Sequence, residues 1–220
     1  AIVPREGAEI FDAEGNPVER EIKSTALSGA LIGKGGYRHF MLKEIYEQPQ
    51  VIGDTLRSYI NPAKRDVWLP EFPEALEKAT KVTLVACGTA FYACMVAKYW
   101  LEQLARVPVE VDVASEFRYR AADMPEGGVA VFVSQSGETA DTLAALRYAR
   151  GKADRIVSVV NGAESSIARE SDLALPIYAG VEIGVASTKA FTCQLAVLAL
   201  LALKAAQVRG EITDEDLAGR

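Results

Sequence analysis

Three short stretches combine hydroxyl side chains with glycine: Cys87-Gly88-Thr89-Ala90, Ser134-Gln135-Ser136-Gly137-Glu138-Thr139 and Gly184-Val185-Ala186-Ser187-Thr188. Each comes after an apolar run of strand type and leads into a segment with helical patterning. That order suits the binding of an anion. Glycine lets the chain turn sharply, and a new helix presents N–H groups without intrahelical partners at the positive end of its dipole. Ser134, Ser136 and Thr139 add hydroxyl donors at the same point. A phosphate dianion fits such a cradle without any lysine. Taken singly, each loop has a plainer reading, since Ser136 also suits a helix N-cap worth about 1 kcal/mol. Three hydroxyl-rich loops at one edge of a sheet favour the ligand.

Other chemistry finds less support. Gly29 to Gly35 is one residue short of a Walker loop and has no Ser or Thr after Lys34, and Gly33 to Arg38 lacks the last glycine of the dinucleotide fingerprint. Cys87 at a strand end is placed like a nucleophile, yet the sole histidine, His39, lies in a connector, so a half-buried wall cysteine is the simpler expectation. One histidine and three cysteines at these spacings match no zinc pattern. Lys189 is a Schiff-base candidate whose alternative is solvation or ion pairing, and Glu138 and Glu182 are candidate bases. The helix dipole alone accounts for Glu138. These residues lead to no expectation of a metal site.

The elements that position these loops alternate regularly. Val82–Ala86, Val109–Val113, Val129–Val133, Ile156–Val160 and Leu173–Ile177 read as strands; Ala90–Leu104, Ser115–Tyr119, Thr139–Arg150, Ser166–Glu170 and Thr188–Val208 read as helices. Strands of near-continuous Val, Ile, Leu and Ala alternating with helices predict a parallel sheet covered on both faces, with its ligand beyond the strands' carboxyl ends. The chain is therefore expected to be α/β, a three-layer αβα sandwich on a five-stranded parallel sheet. Upstream, Ile10–Val18 reads as strand, Gly-Asn-Pro turn and strand, and Gly29, Gly33, Gly35 and Gly36 punctuate a connector. Phe40–Ile60 is amphipathic and helical, with Pro49 expected to break or restart it.

Composition narrows the partners. The 220 residues allow one domain, or one with an appendage. Lys and Arg total 24 against 30 Asp and Glu, and the net charge of −6 disfavours nucleic acid and membrane surfaces. A screened charge of that size does not exclude a small anion held by local dipoles. The longest wholly apolar stretch, Leu195–Leu203, falls short of the roughly 20 residues that span a bilayer. No signal-peptide order is present at the N-terminus, and the cysteines form no disulfide framework. A soluble, cytoplasmic protein is the expectation.

Four longer motifs carry a resemblance: Ala86-Cys87-Gly88-Thr89, Ala114-Ser115-Glu116-Phe117-Arg118-Tyr119, Ser134 to Thr142, and Glu182 to Phe191. With the connector Tyr37-Arg38-His39-Phe40-Met41-Leu42-Lys43-Glu44-Ile45-Tyr46-Glu47-Gln48-Pro49, they resemble the first sugar-isomerase (SIS) domain of the glucosamine-6-phosphate synthase family, the isomerizing glutamine–fructose-6-phosphate aminotransferases. The likeness implies that Ser134, Gln135, Ser136 and Thr139 hold a sugar phosphate. Thr89 and the Val185–Ser187 loop would line the sugar end, with Cys87 and Gly88 as nearby backbone. It implies a hexose phosphate ligand (fructose 6-phosphate, glucosamine 6-phosphate or glucose 6-phosphate), no metal, redox or other cofactor, and neighbouring glutaminase and second SIS domains in a longer parent chain; the apolar final helix adds the expectation of a homodimer. It divides the chain into 1–40, a glutaminase edge and linker; 41–80, connecting helices; and 81–220, the SIS domain. The family commonly has Ser where this chain has Ala90. Its catalytic residues lie outside the matched motifs, and Lys189 does not match the family's Schiff-base lysine, so no catalytic residue is expected here. A non-catalytic SIS sensor and a stand-alone phosphosugar isomerase are the rival readings.

Overall fold

A run such as Val129-Ala130-Val131-Phe132-Val133 sends alternate side chains to opposite faces of a strand, so it is stable only between two apolar layers. In the computed structural model, which describes residues 8–20, 33–69 and 73–219, this is what happens. Val129, Val131 and Val133 enter one core and Ala130 and Phe132 the other, all 1% exposed or less. The chain divides into a unit ending at Gly33 and a larger one beginning at Lys34.

The larger unit opens with α1 (Phe40–Tyr59), a two-stranded antiparallel hairpin of β1 (Ile60–Asn61) and β2 (Asp66–Val67), and α2 (Pro73–Glu77). The alternating series follows: β3 (Lys81–Ala86), α3 (Gly88–Trp100) with a π turn over Leu101–Ala105, β4 (Val109–Val113), α4 (Ala114–Phe117), β5 (Gly128–Ser134), α5 (Ala140–Ala149), β6 (Arg155–Val160), α6 (Ser166–Glu170), β7 (Leu173–Pro176), α7 (Lys189–Val208) and α8 (Asp214–Gly219). The sheet order is β4-β3-β5-β6-β7 and every pairing in it is parallel. Helices α1, α3 and α7 pack on one face, α4, α5 and α6 on the other. The expected three-layer sandwich on five parallel strands is present.

One expectation fails instructively. Pro49 neither breaks nor restarts its helix, and α1 runs through it unbroken. Proline removes the N–H that would reach the carbonyl of Ile45. The Gln48 side chain replaces it, its Nε2 donating to Ile45 O at 3.1 Å. The two-residue hairpin and the π turn leave no periodic signal and were not expected. Helix α7 is long and apolar enough to cross a membrane by length and composition, but half of it is buried in the protein's own core.

In the smaller unit, the expected turn within Ile10–Val18 is present, but it is closed by one isolated bridge and not flanked by two strands. Val18 N donates to Ile10 O at 2.7 Å, Phe11 bridges Pro17, and the Asp12 carboxylate accepts from Asn16 N at 2.8 Å. Gly29 of the expected connector lies outside the described residues.

Candidate functional site

The strand order dictates where a ligand fits. From β3 the chain passes through α3 to β4 at one edge; from β5 it passes through α5 and α6 to β6 and β7 at the other. Winding reverses between β3 and β5, so α3 and α5 leave for opposite layers and a crevice opens beyond the two carboxyl ends. A cleft of about 360 Å³ occupies this place. All nine residues expected to surround the sugar phosphate line it: Cys87, Gly88, Thr89, Ser134, Gln135, Ser136, Thr139, Val185 and Ser187. Ala90, Val133, Thr142, Ala186 and Gln194 complete the wall.

The loop after β5 is tightly specified. Ser134, 3% exposed, accepts from Gly137 N at 3.1 Å and shares a hydrogen with Thr139 Oγ1 at 2.9 Å. Ser136 accepts from Glu138 N at 3.1 Å, so its hydroxyl orders the loop instead of capping α5. Gly137 has φ +70°, and a Cβ there would overlap Ser165 Oγ. No side chain caps α5 through its N-cap residue Thr139, nor α3 through Cys87. Among the described residues, therefore, neither N-cap side chain takes up the first-turn N–H groups that an anion beside the cleft would use.

The third loop departs from expectation. Glu182 already occupies the N-terminus of α7, accepting from Thr188 N at 2.9 Å, Ala190 N at 3.2 Å and the Ser187 hydroxyl at 3.1 Å. A carboxylate at a helix start satisfies the same donors that a phosphate would. Glu182 is thus a cap, and what this loop gives the cleft is Val185, Ala186 and Ser187, with the Val185 side chain fully exposed. Glu138, the other candidate base, also serves as a cap. It accepts from Ser166 N at 2.7 Å at the start of α6, which Ser165 caps as well. That backbone donor holds the Glu138 carboxyl below the usual glutamate range.

Lys189 is no Schiff-base residue in this arrangement. It is 4% exposed, outside the cleft wall, and paired with Glu47 of α1 at 2.8 Å. Burial pushes the Glu47 carboxyl up, but the Lys189 hydrogen bond and charge, with Lys43 at 3.4 Å, outweigh it and hold the carboxyl below its ordinary value. Cys87 is half-buried in the wall, and exposed His39 does not line the cleft. Among the described residues no group of His, Cys, Asp and Glu could hold a metal ion.

Several contributors were invisible to sequence reasoning. Glu44 of α1 is 2% exposed and accepts from Ile183 N at 2.6 Å and Gly184 N at 3.0 Å, pinning the third loop. A Cβ at Gly184 would crowd the Glu44 carboxylate, which would have to shift to admit it. Thr142 and Gln194, each 1% exposed, reach the cleft from opposite layers. Gln194 did carry a cue, as a polar residue on the buried stripe of an otherwise apolar helix.

Comparison with known proteins bears on this cleft. The SIS domain family model matches residues 75–204. The chain is 56% identical, over 98% of its length, to the glutamine–fructose-6-phosphate aminotransferase (isomerizing) of Zymomonas mobilis subsp. mobilis, of which it covers 35%. A protein of the same name from Bradyrhizobium diazoefficiens is also 56% identical, over 98% of this chain and 36% of its own length. Among solved structures, the C-terminal domain of glucosamine-fructose-6-phosphate aminotransferase from Francisella tularensis superposes with a TM-score of 0.81 at 45% identity, over 85% of this chain and 53% of that one. The chain thus spans little more than a third of the length of the curated relatives it matches.

Proposed function

The chain belongs to the SIS domain family, and on that premise we propose that it is the sugar-phosphate-binding part of the isomerase half of a glutamine–fructose-6-phosphate aminotransferase (isomerizing). The parent reaction is amino transfer from glutamine to fructose 6-phosphate with isomerisation to glucosamine 6-phosphate. One observation carries the reading: the Ser134–Thr139 loop brings its hydroxyls and the uncapped N-terminus of α5 to a cleft at the switch point. There the ligand's phosphate accepts from Ser136, Thr139 and the loop N–H groups, and Gln135 adds a carboxamide. Thr89 and the Val185–Ser187 loop face the sugar. The fixed dipoles of the site hold the dianion despite the net charge of −6.

The chain binds and orients a substrate, and the acid–base groups of the reaction come from elsewhere in the parent protein. Both carboxylates near the site are committed to helix N-termini, and Lys189 is committed to Glu47. Residues 1–40 then correspond to the edge of the glutaminase domain, 41–80 to connecting helices and 81–220 to the first SIS domain. A cytoplasmic homodimer is part of the same reading. An apolar stripe on α3 (Tyr92, Met95, Val96 and Tyr99, all exposed at helical spacing) supports a partner surface.

Isothermal titration of fructose 6-phosphate or glucosamine 6-phosphate into wild type and Ser136→Ala tests the cradle. Losing a hydrogen bond to a charged ligand weakens affinity on the order of tenfold or more. Equal affinities would remove the assignment.

A further inference from the structure

Four buried side-chain atoms have no hydrogen-bond partner among the described residues: Thr142 Oγ1, Ser158 Oγ, Thr188 Oγ1 and Gln194 Oε1. Native proteins rarely keep such atoms without a reason, because burial strips their water and nothing replaces it. Two of these four, Thr142 and Gln194, line the same cleft. They come from helices on opposite faces of the sheet, so no local turn or cap explains the pairing. Thr142 is the third residue of α5, so the carbonyl four residues back belongs to Glu138, before the N-cap, and the hydroxyl has no helical carbonyl to return to.

We propose that Thr142 and Gln194 form a polar floor that reads a hydroxyl of the bound sugar, a subsite separate from the phosphate cradle. The proposal rests on the phosphosugar reading above and divides the ligand between two chemistries. A phosphate dianion accepts hydrogen bonds and does not donate, so it belongs with the loop hydroxyls and the N–H groups of α5. An unpaired carboxamide oxygen needs a donor. A sugar hydroxyl supplies one and also accepts, so it pairs with Gln194 whichever way the carboxamide is turned, and with Thr142 in either sense. Ala90, 6% exposed in the same wall, brings only a methyl group, which leaves the floor residues as polar contacts at the buried end.

The test uses the 220-residue chain with fructose 6-phosphate and inorganic phosphate as separate probes, titrated into Thr142→Val, Gln194→Leu, Thr142→Ser and Ser136→Ala. The valine and leucine variants are expected to bind fructose 6-phosphate about tenfold more weakly, the scale of one lost hydrogen bond. Their affinity for inorganic phosphate is expected to be unchanged, and Thr142→Ser, which keeps the hydroxyl, to match wild type. Denaturation midpoints of the unliganded valine and leucine variants should hold or rise, because an unpaired buried polar atom has been removed. A lowered midpoint would mean that the atom has a structural partner, and would overturn the proposal. Unchanged fructose 6-phosphate affinity in both variants would overturn it while leaving the cradle standing, provided Ser136→Ala still weakens both probes. If Ser136→Ala weakens neither probe, the phosphosugar reading itself falls, and the floor with it.

Discussion

Gly137 illustrates how one residue sets the cradle. Its φ of +70° turns the chain out of β5 so that Ser136 and Thr139 flank the cleft, and Ser165 fills the space a side chain would need. Gly151 has a similar φ of +77° with nothing within 4 Å of its would-be Cβ. The pair separates backbone strain from collision. Gly151→Ala is expected to cost about 1–2 kcal/mol, the left-handed strain alone. Gly137→Ala adds the overlap with Ser165 and is expected to cost at least about 1 kcal/mol more, with loss of sugar-phosphate binding. Guanidinium denaturation of both variants checks this, and equal costs would mean that Ser165 moves aside freely. At this scale much was legible. The Ser-x-Ser-Gly-x-Thr pattern is local, and local patterns survive in sequence. The part played by Ser165 was not, because the packing of residue 165 against residue 137 is a product of the fold.

Among the elements, α1 was misjudged most. Its sequence announced an amphipathic helix interrupted at Pro49; the structure has one helix whose carboxylates reach the site loop. Glu44 holds the N–H groups of Ile183 and Gly184, and Glu47 holds Lys189 at the start of α7. The Glu47 pair gives a pH dependence whose sign is fixed. Because the folded Glu47 carboxyl lies below its ordinary value of 4.5, its contribution is fully present above that value and is lost as pH falls through the lower folded one. Glu47→Gln is expected to cost about 2 kcal/mol at pH 7, by leaving Lys189 buried without its counter-charge, and the difference from wild type is expected to shrink steadily below pH 4.5. Denaturation curves for both proteins across that range measure it. A difference independent of pH would show that the ion pair contributes nothing. The strands and long helices were readable because apolar periodicity reports the layers each element touches. The anchoring of residues 182–189 by α1 was not, since it joins residues about 140 apart in sequence.

For the whole molecule, the decisive fact is that a complete five-stranded sheet and cleft coexist with committed carboxylates and a committed lysine. Among the described residues, the two carboxylates and the lysine considered as acid–base or Schiff-base groups are each engaged by other partners. The 220-residue chain is therefore expected to bind hexose phosphate and to release no glucosamine 6-phosphate when supplied with fructose 6-phosphate and glutamine. A coupled assay for glucosamine 6-phosphate measures this, and turnover above the no-protein blank would overturn it. Helix α7 makes the complementary point about burial. By composition it passes for a membrane span, yet it lies between α1, α3 and the sheet because those layers present a matching apolar surface.

The sequence alone determined which residues lie at the strand ends and what they offer chemically. Hydroxyls, glycines and helix starts are short-range features, and strand alternation implies a sheet with a ligand edge. Only the tertiary structure decided which of those features remain available. Glu182, Glu138 and Lys189 were acid–base or Schiff-base candidates by type alone, beside plainer readings, and each is taken by a hydrogen-bond or ion-pair partner. Thr142 and Gln194 looked like ordinary helix residues, and their burial without partners marks them as poised for a ligand. A side chain's type is written in the sequence, but whether its hydrogen bonds are already satisfied depends on neighbours that only folding brings near.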